Sequence, residues 1–87
     1  MKIVVQTSPE NHLAVIYAFN DSEQVETLST TNKFVNIKIM QLIEKYSVNE
    51  VIFQSPQSWA NNFIDSIREA ELSKYGKNSI EYTVIEK

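Results

Sequence analysis

Apolar residues in this chain gather in short runs, and the spacing inside each run says which element it forms. Ile3, Val4 and Val5 are consecutive, so residues 2–6 read as a strand covered on both faces. Thr, Ser, Pro, Glu and Asn at 7–11 read as a turn. In the run 13–19, Leu13, Val15, Tyr17 and Phe19 take one side and Ala14, Ile16 and Ala18 the other. That run also reads as a strand buried on both sides or nearly so. The polar segment 20–23 is a hairpin loop, and 24–30 is a third strand. There Val25, Thr27 and Ser29 alternate with Gln24, Glu26 and Leu28, a weak pattern with the charge expected of an exposed edge.

The period then becomes helical. Ile39, Leu42, Ile43 and Tyr46 follow Val35 at offsets of four, seven, eight and eleven, a single stripe that Thr31 or Asn32 can cap. Phe34, Ile37 and Met40 lie off the stripe, so the helix is apolar over a wide arc. A short link leads into Val51-Ile52-Phe53-Gln54, a second buried strand, and a helix returning into a buried strand marks a parallel sheet. Ser55 suits an N-cap and Pro56 a first helical position. Ala60, Phe63, Ile64 and Ile67 make the second stripe, extended by Ala70 and Leu72, with Asp65, Arg68, Glu69 and Glu71 on the polar side. Gly76 ends that helix, and 79–85 is a last strand in which Ile80, Tyr82 and Val84 share a side.

These elements read βββαβαβ. The expected fold is a single small α/β domain over 1–87, with a five-stranded mixed sheet and two helices. The expected strand order is 3-2-1-4-5, with the second strand antiparallel to the rest. The runner-up is an α+β sandwich with both helices on one face.

Composition narrows the chemistry. Hydrophobic residues are 43% of 87, enough for a core, and with no cysteine there is no disulfide or thiolate metal site. His12 is the only histidine, which excludes a multi-histidine centre within one chain. A net charge of -3 gives the whole chain no attraction to nucleic acid or anionic lipid. The apolar run 13–19 is too short to span a bilayer, so no membrane role is expected. The first residues lack the regions of a secretory signal, and the expected location is the cytoplasm of the producing cell or its host. Lysine makes seven of the eight basic residues, beside abundant Asn, Ile and Ser, a usage that suits AT-rich genomes such as those of phages and low-GC bacteria.

Three antiparallel strands followed by helix, strand, helix, strand resemble the ribonuclease H-like fold. The segment 39–56, a helix ending in Tyr46, then Val51-Ile52-Phe53, then Ser55-Pro56, is similar to Holliday-junction resolvase-type domains. The resemblance implies a metal-dependent nuclease, whose chemistry needs convergent carboxylates on divalent ions. In this chain the first strand carries Gln6 and the strand after the first helix ends in Gln54, where the resemblance calls for acids. Asp65 and Glu69 alone match the late-helix acid, and two acids four apart on a helix are ordinarily solvated surface. The expectation is a degenerate relative with no catalytic residues, no metal and no cofactor.

Gln54, Ser55, Gln57 and Ser58 surround a strand-to-helix turn whose free N–H groups can face an anion. An ordinary cap is the simpler reading, since no glycine lets a phosphate reach the backbone. Trp59 in the first turn of that helix is either a lid on the sheet edge or a contact anchor. His12 beside a turn reads as a surface residue. Lys33, Lys38, Lys45, Lys74 and Lys77 are interleaved with glutamates, as on a salt-laced helix surface.

The functional expectation is a non-catalytic protein-interaction module. It would be a small acidic regulator or inhibitor, with phage-encoded proteins as one class that fits. It would bind a protein partner, or itself as a homodimer, through Phe34, Ile37, Met40, Gln54, Ser55, Ser58 and Trp59. The alternative is nucleic-acid binding by a degenerate nuclease-like domain, which a contiguous lysine surface would favour. An enzyme of unfamiliar chemistry is a third class, which a deep pocket of ionisable groups would favour.

Overall fold

The computed structural model describes residues 1–8, 10 and 12–86. Its first three strands are β1 (Lys2–Ser8), β2 (Leu13–Asn20) and β3 (Glu23–Thr31). A 3-10 turn, Asn32–Phe34, leads into α1 (Val35–Lys45), followed by β4 (Glu50–Gln54), α2 (Gln57–Tyr75) and β5 (Glu81–Ile85). The sheet order is β3-β2-β1-β4-β5. β2 is antiparallel to both β1 and β3, while β1, β4 and β5 are mutually parallel. This is the expected mixed α/β architecture. Of the turn expected at 7–11, Thr7 and Ser8 instead continue β1 against Ala14 and Leu13, and Pro9 and Asn11 lie outside the described residues.

Asp21 takes a positive φ of 57° in the tight β2–β3 connection, a conformation that Asp tolerates better than most residues. Gly76 at φ 75° closes α2, and its N–H donates to the Leu72 carbonyl at 2.8 Å.

Both crossovers, β3–α1–β4 and β4–α2–β5, step in the same direction across the sheet. Right-handed connections therefore put both helices on one face. The core lies there. Ile3, Val5, Ala14, Ile16, Val51 and Phe53 meet Val35, Ile39 and Leu42 of α1 and Ala60, Ile64 and Ile67 of α2. The Phe53 and Phe63 rings stack with centroids 5.8 Å apart. β1 and β2 were expected to be covered on both faces. Instead burial alternates along Lys2–Gln6 and along β2, with Val4, Val15, Tyr17 and Phe19 only half-buried. The small Ala14 and Ala18 flank Ile16 on the helix-covered face and leave room for helix packing, while Leu13, Val15, Tyr17 and Phe19 face away from it.

Two caps differ from expectation. Neither Thr31 nor Asn32 makes a side-chain cap bond, because the 3-10 turn intervenes before α1. At α2 the N-cap is Pro56, and Ser55 is a fully buried residue whose hydroxyl has no partner among the described residues. Glu71 also departs from its expected polar side and is buried. It continues the helical spacing of Ala60, Ile64 and Ile67, and its carboxylate accepts the backbone N–H and hydroxyl of Ser79, both at 3.2 Å. Leu72, expected on the stripe, is exposed. No helix of the described residues is long and apolar enough to cross a membrane.

Candidate functional site

The helix-free face of the sheet has no helix or strand packed over it among the described residues. Strand register arranges its side chains in rows, because residues two apart share a face. One row reads Thr27, Tyr17, Val4, Ile52, Thr83. The next reads Ser29, Val15, Gln6, Gln54, Ile85. Neither row holds a charged residue, in a chain that is 22% charged. At the amino end of the parallel strands a third row, Phe19, Lys2, Glu50, Glu81, carries the charges. At the other end Leu13 is 50% exposed, and on the β5 edge Ile85 is 49% exposed. Tyr17 and Phe19 pack side by side on this face, with ring centroids 6.4 Å apart.

Gln6 and Gln54 meet in the middle of the second row. Gln6 Nε2 donates to Gln54 Oε1 at 2.7 Å. These are the two positions at which the expected ribonuclease H-like nuclease would need carboxylates, and both are amides. Amides are weak ligands for Mg²⁺, and this pair already satisfies one donor and one acceptor internally. Asp65 and Glu69 sit exposed on α2.

A second feature lies where the strands β1 and β4 end and both helices begin. His12, Asn32, Lys33, Trp59, Asn62 and Phe63 line an open groove of about 340 Å³. His12 takes a positive φ of 54°, and its carbonyl accepts the Asn32 N–H at 2.9 Å, which ties the β2 entry to the 3-10 turn. Both amide atoms of Asn32 are buried without a partner among the described residues, as are Thr7 Oγ1, Asn36 Oδ1 and Ser55 Oγ. This end of the fold is therefore polar inside and aromatic at its lip. The opposite helix ends form another groove, about 400 Å³, between Tyr46, Val48, Tyr75 and Ile80, with Glu71 committed to Ser79.

The seven residues expected to bind a partner are not brought together. Phe34 and Ile37 are exposed on the α1 side, at 44% and 54%, with Lys33 Nζ 5.8 Å from the Phe34 ring centroid. Met40 packs against the core instead of joining them. Gln54 is on the open sheet face, Ser58 is exposed on α2, and Trp59 is half-buried in the groove. Ser55 is fully buried, out of a partner's reach. Val4, Val15, Tyr17 and Ile52 of the open face were not among the residues expected to bind a partner. The signal was available, since the expected strand order with right-handed crossovers already implies one bare face.

Of the lysines at 33, 38, 45, 74 and 77, Lys45 and Lys74 are engaged by glutamates. Lys45 Nζ bonds Glu26 Oε1 at 2.6 Å, and Tyr46 donates its hydroxyl to the same oxygen at 3.0 Å. The Lys45 bond, with help from Tyr46, holds the Glu26 carboxyl below its usual range, and Glu26 in turn raises Lys45. Lys74 pairs with Glu44 across the two helices. Burial, reinforced by nearby Glu71, pushes the Tyr82 hydroxyl up to about 12.

The chain matches no protein-family model, no curated protein and no solved structure.

Proposed function

We propose that this chain is a non-catalytic protein-interaction module, a small acidic regulator or inhibitor acting in the cytoplasm, and that it docks its partner on the open sheet face. One observation carries the reading. Two adjacent rows of five residues across the whole sheet hold no charge and include Val4, Val15, Tyr17, Ile52 and Ile85. These five share the two rows with the uncharged polar residues Thr27, Ser29, Gln6, Gln54 and Thr83, and an uncharged, half-apolar face with no element over it is the kind of surface on which partners dock. The alternative of nucleic-acid binding draws less support. Lys45 and Lys74 are engaged by Glu26 and Glu44, and the net charge is -3.

The test is site-specific photo-crosslinking in the native cell. A benzophenone side chain at Ile52 on the open face should give a discrete protein adduct, and one at exposed Ser66 on α2 should not. Introducing Tyr17→Glu alongside should abolish the Ile52 adduct while the far-ultraviolet circular dichroism stays unchanged. Equal labelling from both positions, or an Ile52 adduct indifferent to Tyr17→Glu, would refute the reading.

A further inference from the structure

We infer that the occupant of the open face is a second copy of this chain, packed sheet against sheet about a two-fold axis that runs parallel to the strands between β1 and β4. This rests on the reading of that face as a docking surface and adds the partner to it. Charge complementarity carries the inference. A two-fold axis in that position lays β1 of one copy over β4 of the other, and β2 over β5. Register partners within one sheet then become facing partners between sheets. Lys2 pairs with Glu50 in register, so Lys2 of each copy faces Glu50 of the other, making two reciprocal opposite-charge contacts. Glu81 faces Phe19, so no like charges meet. Along the uncharged rows Val4 faces Ile52, Tyr17 faces Thr83, Gln6 faces Gln54 and Val15 faces Ile85. Val4 with Ile52 and Val15 with Ile85 are apolar pairs, Gln6 with Gln54 is an amide pair, and Tyr17 covers the polar Thr83. A sheet stacked on a sheet keeps its strands within about 30° of its neighbour's, and residues beside the axis shift least under that rotation. Lys2 and Glu50 are those residues in the charged row, and both have long side chains.

The overlap supports a modest dimer. Four strands of five residues span roughly 19 by 17 Å, from strand spacing and rise per residue. With both copies that is a footprint of roughly 650 Å² before side-chain relief, below the ~1,200 Å² at which stable specific interfaces begin and in the range of weak, transient ones. The association should therefore depend on concentration in the micromolar range.

Sedimentation equilibrium from low to several hundred micromolar tests this. The unaltered chain should pass from monomer to dimer. Lys2→Glu sets a carboxylate against the carboxylate of Glu50, and Glu50→Lys sets an ammonium group against that of Lys2. Each variant alone should therefore dissociate about tenfold or more readily. An equimolar mixture of the two variants should associate more tightly than either alone. In the mixed dimer one facing pair joins the two introduced charges and the other joins the two native ones, so both are opposite in sign. That rescue by mixing is particular to this register. Circular dichroism verifies that each variant is folded. Ile85→Glu, at a half-exposed edge position, gives a second disruption should either charge reversal unfold the chain. A dimer insensitive to all three substitutions, or a mixture that stays monomeric, would overturn the inference. So would a monomer at every concentration. In that case Ile52 adducts to a different protein would leave the docking surface standing, and the absence of any adduct would remove both.

Discussion

Replacing Ser55 with alanine sets two physical accounts of the same residue against each other. Read from sequence, Ser55 is the N-cap of α2, and losing a cap costs about 1 kcal/mol. In the fold Ser55 is 0% exposed and its Oγ meets no donor or acceptor among the described residues. A buried hydroxyl without a partner carries a desolvation cost of roughly 1–3 kcal/mol, and alanine removes it while leaving the β-carbon in place. Part of that is returned as lost dispersion contact, so Ser55→Ala should stabilise the protein by about 1 kcal/mol. The two accounts differ in sign and by about 2 kcal/mol in size. For a domain of 87 residues, 1 kcal/mol moves the melting midpoint by about 4–8 °C. Urea unfolding followed by circular dichroism should show the same gain as a higher midpoint at unchanged slope. Ser58→Ala, on an exposed residue of the first turn, is the control and should stay within about 0.5 kcal/mol. A loss of stability on Ser55→Ala, with Ser58→Ala neutral, would refute the reasoning and restore Ser55 to a bonded role.

The remaining predictions concern titration and the groove. The folded state holds Glu26 ionised below its usual range, so its contribution is present above the ordinary carboxylate value of 4.5 and is lost as pH falls through the lowered one. Glu26→Gln should flatten that part of the acid unfolding profile measured by urea titration at stepped pH. Tyr82, raised from 10.0 to about 12, works in the opposite direction: its contribution is complete below 10.0 and is lost as pH rises towards about 12. Ultraviolet titration should show one late tyrosine that Tyr82→Phe removes. The phenylalanine variant should be neutral or more stable by about 1 kcal/mol, since the hydroxyl has no partner among the described residues. Trp59→Ala should cost about 2 kcal/mol, roughly half the loss for a fully buried tryptophan, with wild-type fluorescence between the buried and solvent-exposed limits. A loss under about 0.5 kcal/mol would mark Trp59 as an exposed anchor instead.

The sequence alone determined the elements and their order. Periods of two and of 3.6 are local properties of a chain, so Ile3 to Val5, the stripe from Val35 to Tyr46 and the stop at Gly76 were legible one segment at a time. The absence of acids at Gln6 and Gln54 was legible too, although their mutual hydrogen bond was not. Which side of each strand is covered is not a local property: it follows from the strand order and the hand of the crossovers together. An apolar residue such as Val4 or Val15 looks the same whether a helix, a second sheet or another molecule lies over it. Only the shared direction of the two crossovers leaves that face bare. Only the tertiary structure settled the fates of Ser55 and Glu71. A serine before a proline fits a cap locally, and a glutamate fits a helix surface. Long-range packing buried both, one without a partner and one bonded to Ser79 eight residues on, and no local pattern encodes a contact of that kind.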